Sequence, residues 1–136
     1  MKESIGYLIS IAGIRYKGKV WKCFQPYDVT PEQWVILNKL SYEDGLSQRE
    51  LADRVAKNQP NTTRILDKME QKGLIRRESS PSDRRVLLVF LTGEGIRVRE
   101  KLLPVLWEIY KMSIKGFSEE ELQLMKKLLA RFMMNL

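Results

Sequence analysis

Apolar positions recur at helical spacing along most of the chain and switch to a strand-like period only once, in the stretch from Leu74 to Leu91. Ile5, Leu8, Ile9, Ala12 and Tyr16 predict a first amphipathic helix that fades near "FQPYD", where Pro26 and Asp28 mark the break. The next helix opens at Thr30 as N-cap, with Pro31 at its first position and Gln33 where a capping box needs it, and closes by Gly45. Ser47 and Glu50 repeat the capping box for a helix of about two turns, with Leu51, Ala52 and Val55 facing inward. After a turn at residues 56–58, "QPNTTRILDKMEQKG" runs to a stop at Gly73. It keeps Ile65, Leu66 and Met69 on one face and Asn61, Arg64, Asp67, Lys68 and Gln71 on the other.

The period then changes. "LIRRES" and "RVLLVFL" are strand-like runs joined by the turn residues "SPSD", which predicts a β-hairpin with a charged tip. Thr92 caps a long helix carrying Ile96, Leu102, Leu103, Leu106, Ile109 and Met112, with Pro104 expected to kink it. Ser118 and Glu121 cap a last helix carrying Leu122, Met125, Leu128, Leu129 and Phe132. The order helix, short helix, turn, longer helix, hairpin predicts a mainly α fold with a small β-hairpin wing, a winged helix-turn-helix at residues 30–91. Residues 1–29 and 92–136 are then flanking helices whose apolar stripes need a partner. A homodimer with interlaced termini is the economical solution.

Composition narrows the chemistry. The single cysteine, Cys23, excludes an internal disulfide, and the absence of histidine removes Ser-His and Cys-His catalysis and the commonest soft-metal ligand. With no phosphate-cradling glycine loop and no paired-carboxylate motif, an enzyme is the weakest reading, and no cofactor or metal is called for. Apolar runs are too short and too interrupted by charge to cross a bilayer. The opening "MKESIGYLISIAGIRYKGK" lacks a clear cleavage site, so a cytoplasmic protein is expected. The net charge of +7 favours a polyanionic partner, and its distribution is uneven. Residues 30–53 hold two basic and five acidic side chains, whereas residues 54–90 hold nine basic and four acidic ones.

In a helix-turn-helix the second helix enters the major groove by its N-terminal end, where Gln59, Asn61, Thr62 and Arg64 stand. Asn and Gln pair bidentately with adenine and Arg with guanine, so this set is able to read sequence; an ordinary solvated face is the equal alternative when the helix is taken alone. Thr63 is assigned instead to a semi-buried position on the Leu66 side. A wing beside that helix lies over the minor groove, whose negative potential attracts Arg84 or Arg85, while Asp83 caps the turn or pairs with an arginine. Lys68, with Lys57, Lys72, Arg76 and Arg77, is read as a phosphate clamp or plain surface charge. Tyr16, Trp21 and Trp34 are candidates for lining a ligand pocket, against the competing use of aromatic residues, Phe24, Tyr27 and Trp107 among them, as core and interface. Cys23 has basic neighbours that would activate a thiol, but a lone cysteine is more often a small buried hydrophobe, and that use is favoured.

Three blocks, "LSQRELADRV", "TTRILDKMEQKGLIRR" and "SPSDRRVLLVFLTGEG", follow one another without gaps and resemble the MarR family of bacterial winged-helix transcription regulators. The Asp-Arg-Arg before an apolar strand and Leu-Thr-x-x-Gly is the most specific part. The resemblance implies a homodimer made by the terminal helices, a recognition helix at about residues 58–72 on double-stranded DNA, and Asp83 and Arg85 in the wing positions. It also implies a pocket for a small-molecule effector between the dimerisation helices and the DNA-binding lobe. Lys57 departs from the family's usual apolar residue in the turn, and Cys23 lies at the end of the first helix, not early in it as in the members that sense organic hydroperoxides. Two other readings of the same elements remain: a winged-helix protein-interaction module, and a non-specific DNA-architectural protein.

Overall fold

The helix starts for which the sequence offers a capping residue are made by that residue, and the first helix gains a cap, Ser4, that its pattern did not single out. In the computed structural model, which describes residues 3–56 and 59–136 and only the backbone at 56, 59 and 60, Ser4 caps α1 (Ile5–Phe24), and Thr30 with Gln33 forms a reciprocal capping box on α2 (Pro31–Tyr42). Ser47 with Glu50 does the same for α3 (Gln48–Leu51), as does Ser118 with Glu121 for α6 (Glu119–Met134). Each box satisfies two backbone groups that the first helical turn would otherwise leave unpaired. α4 (Gln59–Gln71) stops as expected at Gly73, whose φ of 76° is left-handed. The Gly73 N–H donates to the Glu70 carbonyl and the Leu74 N–H to the Met69 carbonyl, a Schellman ending.

Two features differ from expectation. α3 holds only four residues before the chain widens into a π-type turn at Ala52–Ala56; Leu51 and Ala52 are still buried and Val55 packs on the core, so the inward face is as expected although the winding is not. The hairpin, β2 (Ile75–Ser79) and β3 (Leu87–Leu91), also gains a third antiparallel strand, β1 (Leu46–Ser47), giving the order β1-β3-β2. Two residues are too few to show a period of two. Gly45, at φ 77°, lets the chain turn into β1 beneath the Phe90 ring, and its N–H donates to the Val89 carbonyl.

The core gathers around α2: Ile36, Leu37 and Leu40 meet Phe24 of α1, Leu51, Leu66 and Met69 of the helix-turn-helix, Ile75 and Val89 of the sheet, and Leu102 of α5 (Gly93–Ser113). Phe24 and Trp34 pack edge to face with ring centroids 5.9 Å apart. α5 is clamped to the wing root: the Thr92 hydroxyl donates to the Gly73 carbonyl and accepts from the Gly95 N–H, and the Thr92 N–H donates to the Leu74 carbonyl. A Cβ on Gly95 would overlap the Leu74 carbonyl oxygen, which gives the Leu-Thr-x-x-Gly spacing a steric reason. α5 continues through Pro104 as one helix, and α6 buries none of its residues in the single chain.

Candidate nucleic-acid interface

Helix phase sorts the residues of α4. Asn61, Arg64 and Lys68 stand at i, i+3 and i+7 and are exposed together, whereas Thr62, Leu66 and Met69 form the buried stripe. Thr62 has no solvent exposure, which corrects its assignment to the base-reading set: four residues before Leu66, it turns its small hydroxyl side chain into the core. Thr63 is half-buried and accepts a hydrogen bond from Gln48 Nε2 at 3.1 Å. Arg64 Nη2 donates to Asn61 Oδ1 at 2.6 Å, so these two side chains stand as one unit on the exposed face. The side chain of Gln59, along with Lys57 and Asn58 of the predicted turn, lies outside the described residues.

The wing tip is built to present an arginine. Asp83 Oδ1 accepts from the Arg85 backbone N–H at 3.0 Å and from Nε at 3.2 Å, and Oδ2 accepts from Nη2 at 3.3 Å. The hydrogen bonds from the Arg85 side chain and then its backbone hold the Asp83 carboxyl below its ordinary pKa. The hairpin closes beneath it through Val86 N–H to Asp83 carbonyl and Ser80 N–H to Val86 carbonyl. The Arg85 side chain remains 91% exposed and Arg84 is exposed beside it. A carboxylate that fixes the turn and aims an arginine outward accounts for Asp83 without a contact of its own.

Three basic residues grouped with the phosphate clamps are committed elsewhere. Arg77, with a side chain only 15% exposed, donates through Nη2 to Asp67 and Glu70, each at 2.7 Å. Its Nε donates to Glu70 at 3.0 Å and its Nη1 to Gln48 Oε1 at 3.1 Å. Burial works to lower the Arg77 pKa, but the hydrogen bonds to Glu70 and Asp67 outweigh it and raise it; the same bond from Arg77 lowers the Glu70 pKa. Lys72 donates to the Asp28 carbonyl at 2.6 Å and to Gln33 Oε1 at 3.2 Å, pinning the end of α4 to the start of α2. Arg76 pairs with Glu78 and lies 4.5 Å over the Phe90 ring. Sequence reasoning missed the Arg77 cluster, although a signal was there: Arg77 stands two residues after buried Ile75, on the inward parity of β2, and opposite buried Val89.

Of the pocket candidates, Tyr16 and Trp34 share a mainly apolar cleft of 360 Å³ between α1, α2 and α5, completed by Val20, Pro31, Val35 and Leu106. Lys17 and Glu32 form an ion pair on its lining. Burial acts to raise the Glu32 pKa, yet the bond from Lys17 brings it below the ordinary value; burial, followed by the nearby Tyr110, raises that of Tyr16. Trp21 is not in this cleft. It lines a separate one with Gln25, Asp28 and Thr30, which divides the predicted trio. Phe24 is core, Trp107 stacks on Tyr110 at 5.5 Å, and Cys23 is half-buried against the core. Among the described residues no cluster of three or more His, Cys, Asp or Glu side chains could hold a metal ion, and no helix is long and apolar enough to cross a membrane.

Comparison with known proteins agrees with this geometry. The MarR family model matches residues 29–87, from just before α2 to the first residue of β3. The S. aureus MepR–DNA complex superposes with a TM-score of 0.92 at 28% identity, over 98% of both chains. CouR from Rhodococcus jostii bound to p-coumaroyl-CoA gives 0.83 at 26% identity, over 94% of this chain and 90% of that one. A mutant E. coli MarR complexed with operator DNA, at 23% identity, shares the fold with a TM-score of 0.89 over 94% and 92% of the two chains. The family model thus covers most of the winged-helix core and the terminal helices superpose on solved MarR-type structures as well, so the chain is similar along its length to the MarR family of winged-helix transcription regulators.

Proposed function

We propose that the chain is a repressor that binds a pseudo-palindromic duplex as a homodimer and releases it when a small amphipathic or aromatic ligand fills the cleft between α1, α2 and α5. The observation that carries the DNA half of this reading is Arg85, held at the wing tip by Asp83 with its side chain 91% exposed, together with the exposed Asn61–Arg64 unit of α4. Gln59, Asn61 and Arg64 then read base edges in the major groove, Lys68 meets phosphate, and Arg84 or Arg85 enters the adjacent minor groove. MepR and MarR, both similar to this chain, are seen with DNA.

Dimerisation by residues 1–29 and 92–136, with 30–91 as the DNA-binding domain, rests on the apolar faces those helices leave uncovered: Ile5 and Leu8 of α1, Trp107 of α5, Leu124 and Leu128 of α6. Two recognition helices about one helical turn apart follow from such a dimer. Effector release rests on the 360 Å³ cleft, which joins the first turn of α2 to the flanking helices, and on CouR, a relative that holds an acyl-CoA. A ligand that prefers a lobe spacing unsuited to DNA lowers DNA affinity without touching it. Such a regulator works in the cytoplasm, where its DNA lies.

Competition between the duplex upstream of the protein's own coding region and random duplex, across a salt series, tests the reading. A preference of roughly a thousandfold is expected of a specific regulator. Equal binding of the two duplexes would leave only an architectural role, and no binding at low salt would favour a protein-interaction module.

A further inference from the structure

Arg77 and Gln48 tie together the three elements that would face DNA. Arg77 sits near the root of the wing on β2, and its guanidinium meets Gln48 of α3 and Asp67 and Glu70 of α4. Its backbone N–H also donates to Glu70 Oε2, at 3.2 Å. Gln48 uses both ends of its carboxamide, accepting from Arg77 and donating to Thr63 of α4. From the geometry we infer that Arg77 and Gln48 are positioning residues that lock the wing to the recognition helix, so that the two read DNA as one rigid head.

The inference rests on the proposed DNA-binding function and adds two residues that act without touching the duplex. Three observations carry it. With two carboxylates and a carboxamide on its guanidinium and a 15% exposed side chain, Arg77 offers little to a phosphate. Beyond Ser79 the wing leaves the sheet ladder, and among the described residues no hydrogen bond or ion pair ties residues 80–86 to an element other than the hairpin. The direction of the tip is therefore set at the root and along the cleft that Arg85 and Val86 share with Gln48 and Arg49. Extended chain from Arg77 to Pro81 would reach about 13 Å at most, so a pivot of about 10° at the root moves the tip by up to about 2 Å, enough to break a hydrogen bond there.

The test is a double-mutant cycle on the tightest duplex selected from a random pool. Arg77→Met keeps an unbranched apolar stem and removes the fork. Gln48→Leu removes one arm without changing any charge, which separates wing geometry from the loss of the cation opposite Asp67 and Glu70. Each is expected to weaken binding about tenfold in the wild-type background and by less than about twofold in the Arg85→Ala background, because a wing without its arginine gains nothing from correct aim. Losses of equal size in both backgrounds would overturn the inference. Hydrogen exchange without DNA gives a second readout: amides of β2 and β3 should exchange faster in both variants while those of α2 do not, and unchanged hairpin exchange would also overturn it. A wild-type protein that selects no duplex would remove the proposed function, and the exchange measurement would then decide by itself whether these residues fix the wing.

Discussion

Leu66 and Leu128 occupy equivalent places in two helical patterns, yet one has no solvent exposure and the other is 47% exposed. The winged-helix region covers its apolar residues from within: Ile36, Leu37, Leu40, Leu66, Met69, Ile75 and Val89 are essentially inaccessible, and α1 and α5 add Phe24 and Leu102 to the same cluster. The C-terminal region does the reverse, since α6 repeats leucine and methionine at helical spacing and buries none of them. Periodicity tells that a face is apolar. It does not tell what covers it, and here the cover of one region is the chain itself while that of the other is assigned to a second copy.

The largest effect should separate the regions directly. Leu66→Ala is expected to cost about 2–5 kcal/mol in urea unfolding at any protein concentration, because it opens a cavity that neighbours fill only in part. Leu128→Ala should instead lower the midpoint at protein concentrations where the dimer forms and lose that effect once dilution has dissociated it. Equal, concentration-independent losses at both sites would break the distinction.

Within the wing the same contrast is drawn between two arginines. Arg77 is spent on the fold and Arg85 is not, so Arg85→Ala should reduce affinity for a selected duplex by about 1–3 kcal/mol while unfolding shifts by less than about 0.5 kcal/mol. Operator binding unchanged by the substitution would remove the wing from the interface. A smaller effect is expected on the recognition helix: Lys68→Ala should leave sequence preference intact and lower the salt slope by about one. A changed base preference would mean that Lys68 reads bases.

Three helix starts were legible because a capping box is a local event: Thr30 with Gln33, Ser47 with Glu50 and Ser118 with Glu121 need only three residues of separation to find each other. The hairpin was legible for the same reason, and so was a structural use of Asp83 in capping the turn or pairing with an arginine, which the fold makes Arg85. Thr62 was misread within its own helix, since Leu66 stands four residues on, whereas the other failures depend on contacts distant in sequence. Thr62 looked like a polar surface residue until Leu66 and Met69 fixed the phase of the buried stripe, and Arg77 looked like one more cation until Gln48, 29 positions away, met it. β1 escaped because its partner, β3, lies some forty residues downstream, as the Leu46–Val89 register shows. Tyr16 and Trp34 converged on one cleft, and Trp21, one and a half turns along α1 from Tyr16, did not.

The smallest effect concerns acid. Asp83 has a depressed pKa in the fold, so what it contributes to the wing is present above the ordinary carboxylate range, near pH 4, and is lost as pH falls through the lowered value. The difference in hairpin hydrogen exchange between wild type and Asp83→Asn should therefore be constant at neutral pH and shrink only below about pH 4. A difference that grew on acidification would contradict the assigned sign.

The account turns on helix and wing reading adjacent grooves twice, once from each protomer. A hydroxyl-radical footprint of the wild-type complex on a selected duplex addresses that most directly. It should show two protected blocks related by a two-fold axis, their centres about one helical turn apart, each flanked by a protected minor groove that Arg85→Ala exposes again. A single unphased protection, or outer minor grooves cut equally with and without Arg85, would contradict it.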